Sequence, residues 1–309
     1  MSVVFLNHTE QKCGVYQMGK RIGRELERAG VVDYVETWDL GTAIDRARSL
    51  RVTAVIYNWH PSTMPWAAEV VRRHPAVKHV GLMHEIAPDT AGTGADVFPY
   101  RVVCDPSFPA DGRRLFCTVR HVPRFSPRPR AEDAAVTVGS FGFAVGGKQF
   151  PTIVHAVAAE FPGALVRLRI PHAHYGDYAG ELARGADADS RRVGTVNGVR
   201  VQVEHAFLDD ADLLEWLALN DMNVFFYEPN GGRGIASALD YAIAAQRPIA
   251  INGSQMFRHV LGGLGSYPTR SLREALDASG EFVRELYEAW SPEQLVRDYR
   301  SMLATIGAS

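Results

Sequence analysis

MNVFFYEPNGGRGIASALDYAIAAQRPIAIN, residues 222–252, is the stretch that decides the fold class. Its ends, MNVFFYE (222–228) and PIAIN (248–252), are short apolar runs of strand length. Between them a glycine-rich loop leads into IASALDYAIAAQ (235–246), a helix-length run of small and apolar residues. Apolar strands separated by helices are the pattern of a parallel sheet covered on its faces. Upstream the alternation continues through strands VTVGSFGF (136–143), ALVRLRIP (164–171) and VRVQVEHA (199–206), with helices predicted near 150–161 and over 209–220. Farther back, HVPRFSPRPRAED (121–133) holds three prolines among alternating charges and reads as an interdomain linker.

Before that linker lies a first α/β series, with strands predicted at 3–7, 53–58, 79–84, 100–104 and 115–119. Within it, YQMGKRIGRELERAG repeats apolar Met18, Ile22 and Leu26 every four residues and ends at Gly30, as a helix does. At the other end SPEQLVRDYRSMLATI (291–306) opens with a Ser-Pro-Glu cap and carries a stripe of Leu295, Tyr299 and Leu303. The expected architecture is α/β: two Rossmann-like doubly wound lobes, 1–130 and 131–290, followed by a terminal helix, 291–309.

At 309 residues the chain exceeds the size at which one hydrophobic core stops growing. Hydrophobic residues make up 46% and charged residues 22%, the balance of a folded globular protein. A formal net charge of −2 supplies no global field for nucleic acid or an anionic membrane, so an anionic ligand has to be held locally. Cys13, Cys104 and Cys117 form no CxxC pair and have no histidines at zinc spacing, so neither a structural metal nor a disulfide framework is expected. The N-terminal stretch lacks a secretory pattern, and no apolar run approaches the roughly 18 residues of a membrane span. A cytoplasmic, soluble protein is expected, with peripheral membrane contact left open.

Two loops have the chemistry of anion seats. Gly139 to Lys148 runs from a strand through glycines into a helix, so that backbone N–H groups and the Lys148 ammonium can approach an anion. The order is neither a P-loop nor GxGxxG, and an ordinary turn with a solvated lysine is the bland alternative. Pro229 to Ser237 sets Arg233 among glycines before the next helix, where a guanidinium can grip phosphate bidentately. In the first series, His8 and Gly14 come after the first strand, and Asn58, His60, His84 and Glu85 sit at the carboxyl ends of predicted strands, the edge from which α/β sheets bind ligands. Trp59 and Trp66 can stack on a sugar or pack in the core, the commoner fate. Pro171 to Tyr175 reads as loop, and Ser254 to His259 as a capped helix start.

From Gly142 through Lys148, and from Arg233-Gly234-Ile235-Ala236 to Arg247-Pro248-Ile249-Ala250-Ile251, the sequence resembles the GT-B glycosyltransferases, in particular the retaining branch that uses nucleotide-sugar donors. The resemblance covers most of 136–252. It departs at the family's paired glutamates, which fall on Arg233 and Tyr241, and at an expected arginine, which is Phe143. It implies a nucleotide-sugar donor bound in the second lobe by Gly142, Lys148, Arg233, Gly234 and Ser237. A glycan or other hydroxyl acceptor would bind in the first lobe near Gly14, Asn58 and His60, with the active site in the cleft between the lobes. His84 resembles a histidine that contacts the transferred sugar; beside Glu85 it would serve as a base if the reaction inverts, or as a sugar anchor if it retains. No metal or cofactor is implied, since positive side chains and helix N-termini stabilise the departing diphosphate. Polysaccharide or glycan assembly is the expected setting. A GT-B-like epimerase or pyruvyl transferase, or a degenerate lobe pair that binds or scaffolds, are the alternatives.

Overall fold

The computed structural model describes residues 2–49, 51–128, 135–145, 147–229 and 234–308. The chain divides into two compact units, 1–121 together with 290–309, and 122–289.

In the first unit the elements are β1 (Ser2–Asn7), α1 (Gly14–Arg28), β2 (Asp33–Glu36), α2 (Leu40–Arg48), β3 (Val52–Trp59), α3 (Ala67–Arg73), β4 (Lys78–Met83), β5 (Tyr100–Val103) and β6 (Leu115–Cys117). They form a sheet of order β2-β1-β3-β4-β5-β6 in which every pairing is parallel. The direction of winding reverses between β1 and β3. Side-chain alternation explains the unbroken apolar runs: Val3, Phe5, Ala54 and Ile56 join one buried layer with Met18, Ile22 and Leu26 of α1. Val4, Leu6, Val55 and Tyr57 join another with Ala43 and Ile44 of α2 and Ala67 and Val70 of α3. A strand covered on both faces is apolar at every position.

The second unit holds β7 (Thr137–Phe141), α4 (Phe150–Glu160), β8 (Leu165–Arg169), α5 (Glu181–Asn197), β9 (Arg200–Glu204), α6 (Asp210–Ala218), β10 (Met222–Phe225), α7 (Ala238–Ala244), β11 (Ile249–Ile251), α8 (Leu261–Leu264) and α9 (Leu272–Ala289). Its sheet, β11-β10-β7-β8-β9, is also wholly parallel, and the winding reverses between β7 and β10. Residues of α4, α5 and α9 cover one face, packing on Val138, Val166, Leu168, Met222 and Val224.

The terminal helix α10 (Pro292–Thr305) is capped by Ser291, whose hydroxyl accepts the Gln294 N–H. Its stripe of Leu295, Tyr299 and Leu303 is buried in the layer that also contains α1. The main-chain carbonyl of Ala308 accepts the Thr53 hydroxyl at 2.9 Å, which ties the end of the chain to β3.

The βα alternation and the terminal helix agree with the sequence pattern, while β2, α2, α3, α5 and α9 are not marked in it. Several predicted elements are shorter than expected, two of them for a visible reason. The helix read from 235 starts at Ala238, because Ile235 and Ala236 are drawn aside by a bond from Ala236 N–H to Met256 O at 2.9 Å. The strand read to 228 leaves the ladder after Phe225, where Tyr227 bridges Lys148 instead of β7 or β11. After Ser254 there is a single 3-10 turn, Gln255–Phe257, and not the start of a longer helix.

Candidate functional site

In doubly wound sheets ligands bind outside the carboxyl ends of the strands where the winding reverses. In the second unit that place is occupied by the turn after β7. Gly142 turns the chain with φ +139°, a conformation closed to residues with a Cβ, and a Cβ there would lie 2.8 Å from Cε of Lys148. Lys148 Nζ donates to Val145 O at 3.0 Å and sits 4.9 Å from the centre of the Tyr227 ring. Burial of this amine pulls its pKa down to about 8.

The strand-end loops around Lys148 are stitched into one edge. Gln149 N–H donates to Phe226 O and Glu228 N–H to Gly147 O. Asn252, which follows β11, accepts the Tyr227 N–H at 3.1 Å and donates to Tyr227 O at 2.7 Å. Gln255 N–H donates to Pro229 O, and Arg258 Nη1 to Gly234 O at 3.2 Å. Lys148 and Gly234 therefore belong to one hydrogen-bonded rim, and Gly142 lies against the Lys148 side chain. Ser237 leads into α7 and its hydroxyl makes no capping bond. Arg233 lies outside the described residues. Tyr241 donates to Asp210 Oδ1 at 2.6 Å and meets the edge of the Phe141 ring. Phe143 and Phe207, which follow β7 and β9, stack with their rings 10° apart and centroids 6.2 Å apart.

In the first unit the reversal point gathers the ends of β1, β3 and β4. Asn58 is fully buried and donates to Asn7 Oδ1 at 2.6 Å and to Val15 O at 2.8 Å. His84 Nε2 lies 2.5 Å from Asn58 Oδ1. Its pKa is depressed to about 3, by burial first and then by the charges of His60, Arg120 and His8. Glu85 Oε2 lies 3.5 Å from His60 Nε2, so this carboxylate is set against His60 while the His84 ring turns to Asn58. His60 Nδ1 accepts the Ser62 N–H, and His8 Nδ1 the Glu10 N–H. Gly14 is the first residue of α1 and has open space where a Cβ would point. Trp59 packs on Phe98 and Trp66 on Tyr57, the core fate of both rings.

Asn7, Tyr34 and Glu36 complete this site without having been marked in the sequence. Asn7 ends an apolar run and is fully buried, and a polar residue closing a buried strand was the available signal. Tyr34 and Glu36 stand on the unread β2. Among the described residues no three His, Cys, Asp or Glu side chains are grouped as a metal requires, and no helix is long and apolar enough to cross a membrane.

No family model matches the chain, and no curated protein matches it in sequence. Solved structures do match in shape. Sucrose-phosphate synthase of Thermosynechococcus elongatus has a TM-score of 0.67 at 14% identity, covering 98% of this chain and 100% of that one. HepE of Anabaena, solved with UDP, has a TM-score of 0.65 at 10% identity over 99% and 100% of the two chains, and it is also solved with UDP-glucose. A glycosyltransferase of Rickettsia africae has a TM-score of 0.65 at 8% identity over 100% and 99%. The fold is GT-B-like. Identities this low carry the fold and no further, while the GT-B-like fold accounts for two parallel sheets that each reverse their winding beside a glycine turn or a buried asparagine.

Proposed function

We propose that this protein transfers a sugar from a nucleoside-diphosphate sugar to a hydroxyl acceptor in the cytoplasm, where the thiols of Cys13, Cys104 and Cys117 would remain reduced. The observation that carries the reading is Lys148, a half-buried ammonium beside the Gly142 and Gly147 turns at the reversal point of the second sheet. In this reading Lys148 takes the diphosphate, whose negative charge grows as the glycosidic bond breaks, and Gly142, Gly234 and Ser237 surround it. The stacked faces of Phe143 and Phe207 offer a flat apolar surface to the base. The first unit presents hydroxyl-binding groups at His60, His84 and Glu85, with Gly14 leaving room at the start of α1; Asn58, expected beside the acceptor, is buried behind His84 with its amide fully engaged. The Gly142–Lys148 pattern favours kinship with the retaining branch. HepE, of the same fold, binds UDP and UDP-glucose, which supports a uridine nucleotide as the first donor to try. No cofactor is required by this chemistry.

A second reading rests on Tyr241, which stands where the retaining branch has its second glutamate and is engaged with Asp210. A protein that binds nucleotide sugar without turning it over would fit that substitution. One experiment serves both: a thermal-shift series with UDP and nucleotide sugars, followed by assay of nucleotide release. A ligand at 100 times its Kd stabilises by about 2.7 kcal/mol, so binding is readily seen. Binding with release supports the transferase, binding without release the second reading. A melting point that no nucleotide or nucleotide sugar moves would overturn both.

A further inference from the structure

The polar chain in the first unit has its hydrogen-bond direction fixed by main-chain atoms. A carbonyl oxygen only accepts, so the Asn58 atom 2.8 Å from Val15 O is Nδ2. The same nitrogen donates to Asn7 Oδ1, which leaves Asn58 Oδ1 facing His84 Nε2. Asn7 is pinned in the same way, with Nδ2 directed at Tyr16 O at 3.2 Å and Oδ1 accepting the His8 N–H at 3.0 Å. Asn7 Nδ2 also donates to the Tyr34 hydroxyl at 2.8 Å, and that hydroxyl donates to Glu36 Oε1 at 2.9 Å. Read from His84 to Glu36, every hydrogen points one way, and neither amide can flip without setting oxygen against a carbonyl oxygen.

We propose that Asn58, oriented by Asn7, is a positioning residue that holds His84 as the neutral Nε2–H tautomer, so that His84 Nδ1 is a permanent hydrogen-bond acceptor for a substrate hydroxyl. The hydroxyl rests on the sugar-transfer reading; the tautomer does not. Asn58 Oδ1 can only accept, so Nε2 must carry the hydrogen, and a neutral ring then leaves Nδ1 bare. Nδ1 has no protein partner among the described residues.

The groups around the ring keep it neutral. His8 follows β1, His60 follows β3 and Arg120 follows β6, and all three oppose a second proton. Glu85, adjacent in the chain, favours one, but its influence is the smallest and its carboxylate is set against His60. A general base works best with a pKa near the working pH, and this ring lies far below it. The surroundings therefore suit His84 to anchoring a hydroxyl and not to removing its proton.

The test is the nitrogen-15 spectrum of the His84 ring in the full-length protein without ligand. Between pH 5 and 8 the expected result is a pyridine-type Nδ1 and a pyrrole-type Nε2 with no titration. Asn58→Asp places a carboxylate against Nε2 and should bring a titration up to the ordinary histidine value of about 6.5 or above. A ring protonated on Nδ1, a wild-type titration near neutrality, or an unchanged ring in a folded Asn58→Asp protein would each overturn the proposal. If the variant does not fold, the wild-type spectrum alone decides. The measurement needs no sugar transfer, so failure here leaves the transferase reading standing, and failure of transfer leaves the tautomer standing.

Discussion

Gly19 of α1 and the side chain of Asn58 occupy one space: a Cβ on Gly19 would lie 2.1 Å from Asn58 Nδ2. The helix can approach the end of β3, and Asn58 can reach both Asn7 and Val15, because position 19 has no side chain. Gly19→Ala should therefore destabilise the protein by about 1–3 kcal/mol, the usual range for overpacking, read as a lower midpoint in urea. Gly14→Ala meets no atom within 4 Å and should leave the midpoint nearly unchanged.

Lys148→Ala should weaken UDP binding about 10- to 100-fold, since a hydrogen bond to a charged group contributes about 1.5–3 kcal/mol. The amine, with its pKa drawn down to about 8, is charged below that pH and neutral above it. Wild-type affinity should hold below pH 8 and fall as the pH rises through it. A bound diphosphate favours the charged amine, so binding near pH 8 should take up protons, which calorimetry in two buffers of different ionisation heat measures.

Phe143→Ala tests the stacked pair with Phe207. If these rings receive the base, the substitution should weaken UDP by about 2- to 12-fold, from the 0.5–1.5 kcal/mol of an aromatic pair, and leave inorganic diphosphate unaffected. Equal losses for both ligands would remove the rings from the nucleotide site.

His84 makes the fold sensitive to acid. Its folded pKa, about 3, lies below the ordinary value near 6.5, so between these values the unfolded chain binds the extra proton. Stability should fall as the pH drops from about 6.5 towards 3 and be independent of this group above 6.5. His79 is shifted in the same direction by burial and adds to the slope. Urea midpoints from pH 4 to 7 should decline less steeply in His84→Gln than in the wild type.

Leu303→Ala should cost about 2–5 kcal/mol, the range for a large-to-small change in a core. Leu303 is 3% exposed and packs with α1 and the first sheet, so the loss is expected in the first unit although residue 303 lies at the far end of the chain. Comparing proteolysis of the two units in the variant would check where the loss falls.

Much of this architecture could be read from apolar runs. The runs in β1, β3 and β4 are mostly apolar at successive positions because these strands are covered on both faces, while β7, β8 and β10 are marked by the residues they bury under α4, α5 and α9. DYVE (33–36) escaped notice since β2 is an edge strand with an exposed Asp33, and Tyr34 and Glu36 went with it. Helix α5 escaped too: ELARGADADSRRVGTVN buries few residues and has no regular apolar stripe. Of the candidate site, Gly142, Lys148, Asn58 and His84 could be found from their places at or just after the carboxyl ends of strands. Glu85 was grouped with His84 by adjacency, yet the chain bends at these two residues after β4, and the carboxylate meets His60 while His84 meets Asn58.

By itself the sequence determined the α/β class, the two series of strands and helices, and the glycine-rich turn before Lys148, because each is written in periodicities and turns a few residues long. Only the tertiary structure decided that α10 completes the first unit's core, and which atom of Asn58 faces His84. Those outcomes depend on groups 26 and 51 positions apart meeting with a definite donor and acceptor, as His84 meets Asn58 and Asn58 meets Asn7. Hydrogen-bond polarity is a property of the assembled atoms, and a local pattern has no means of encoding it.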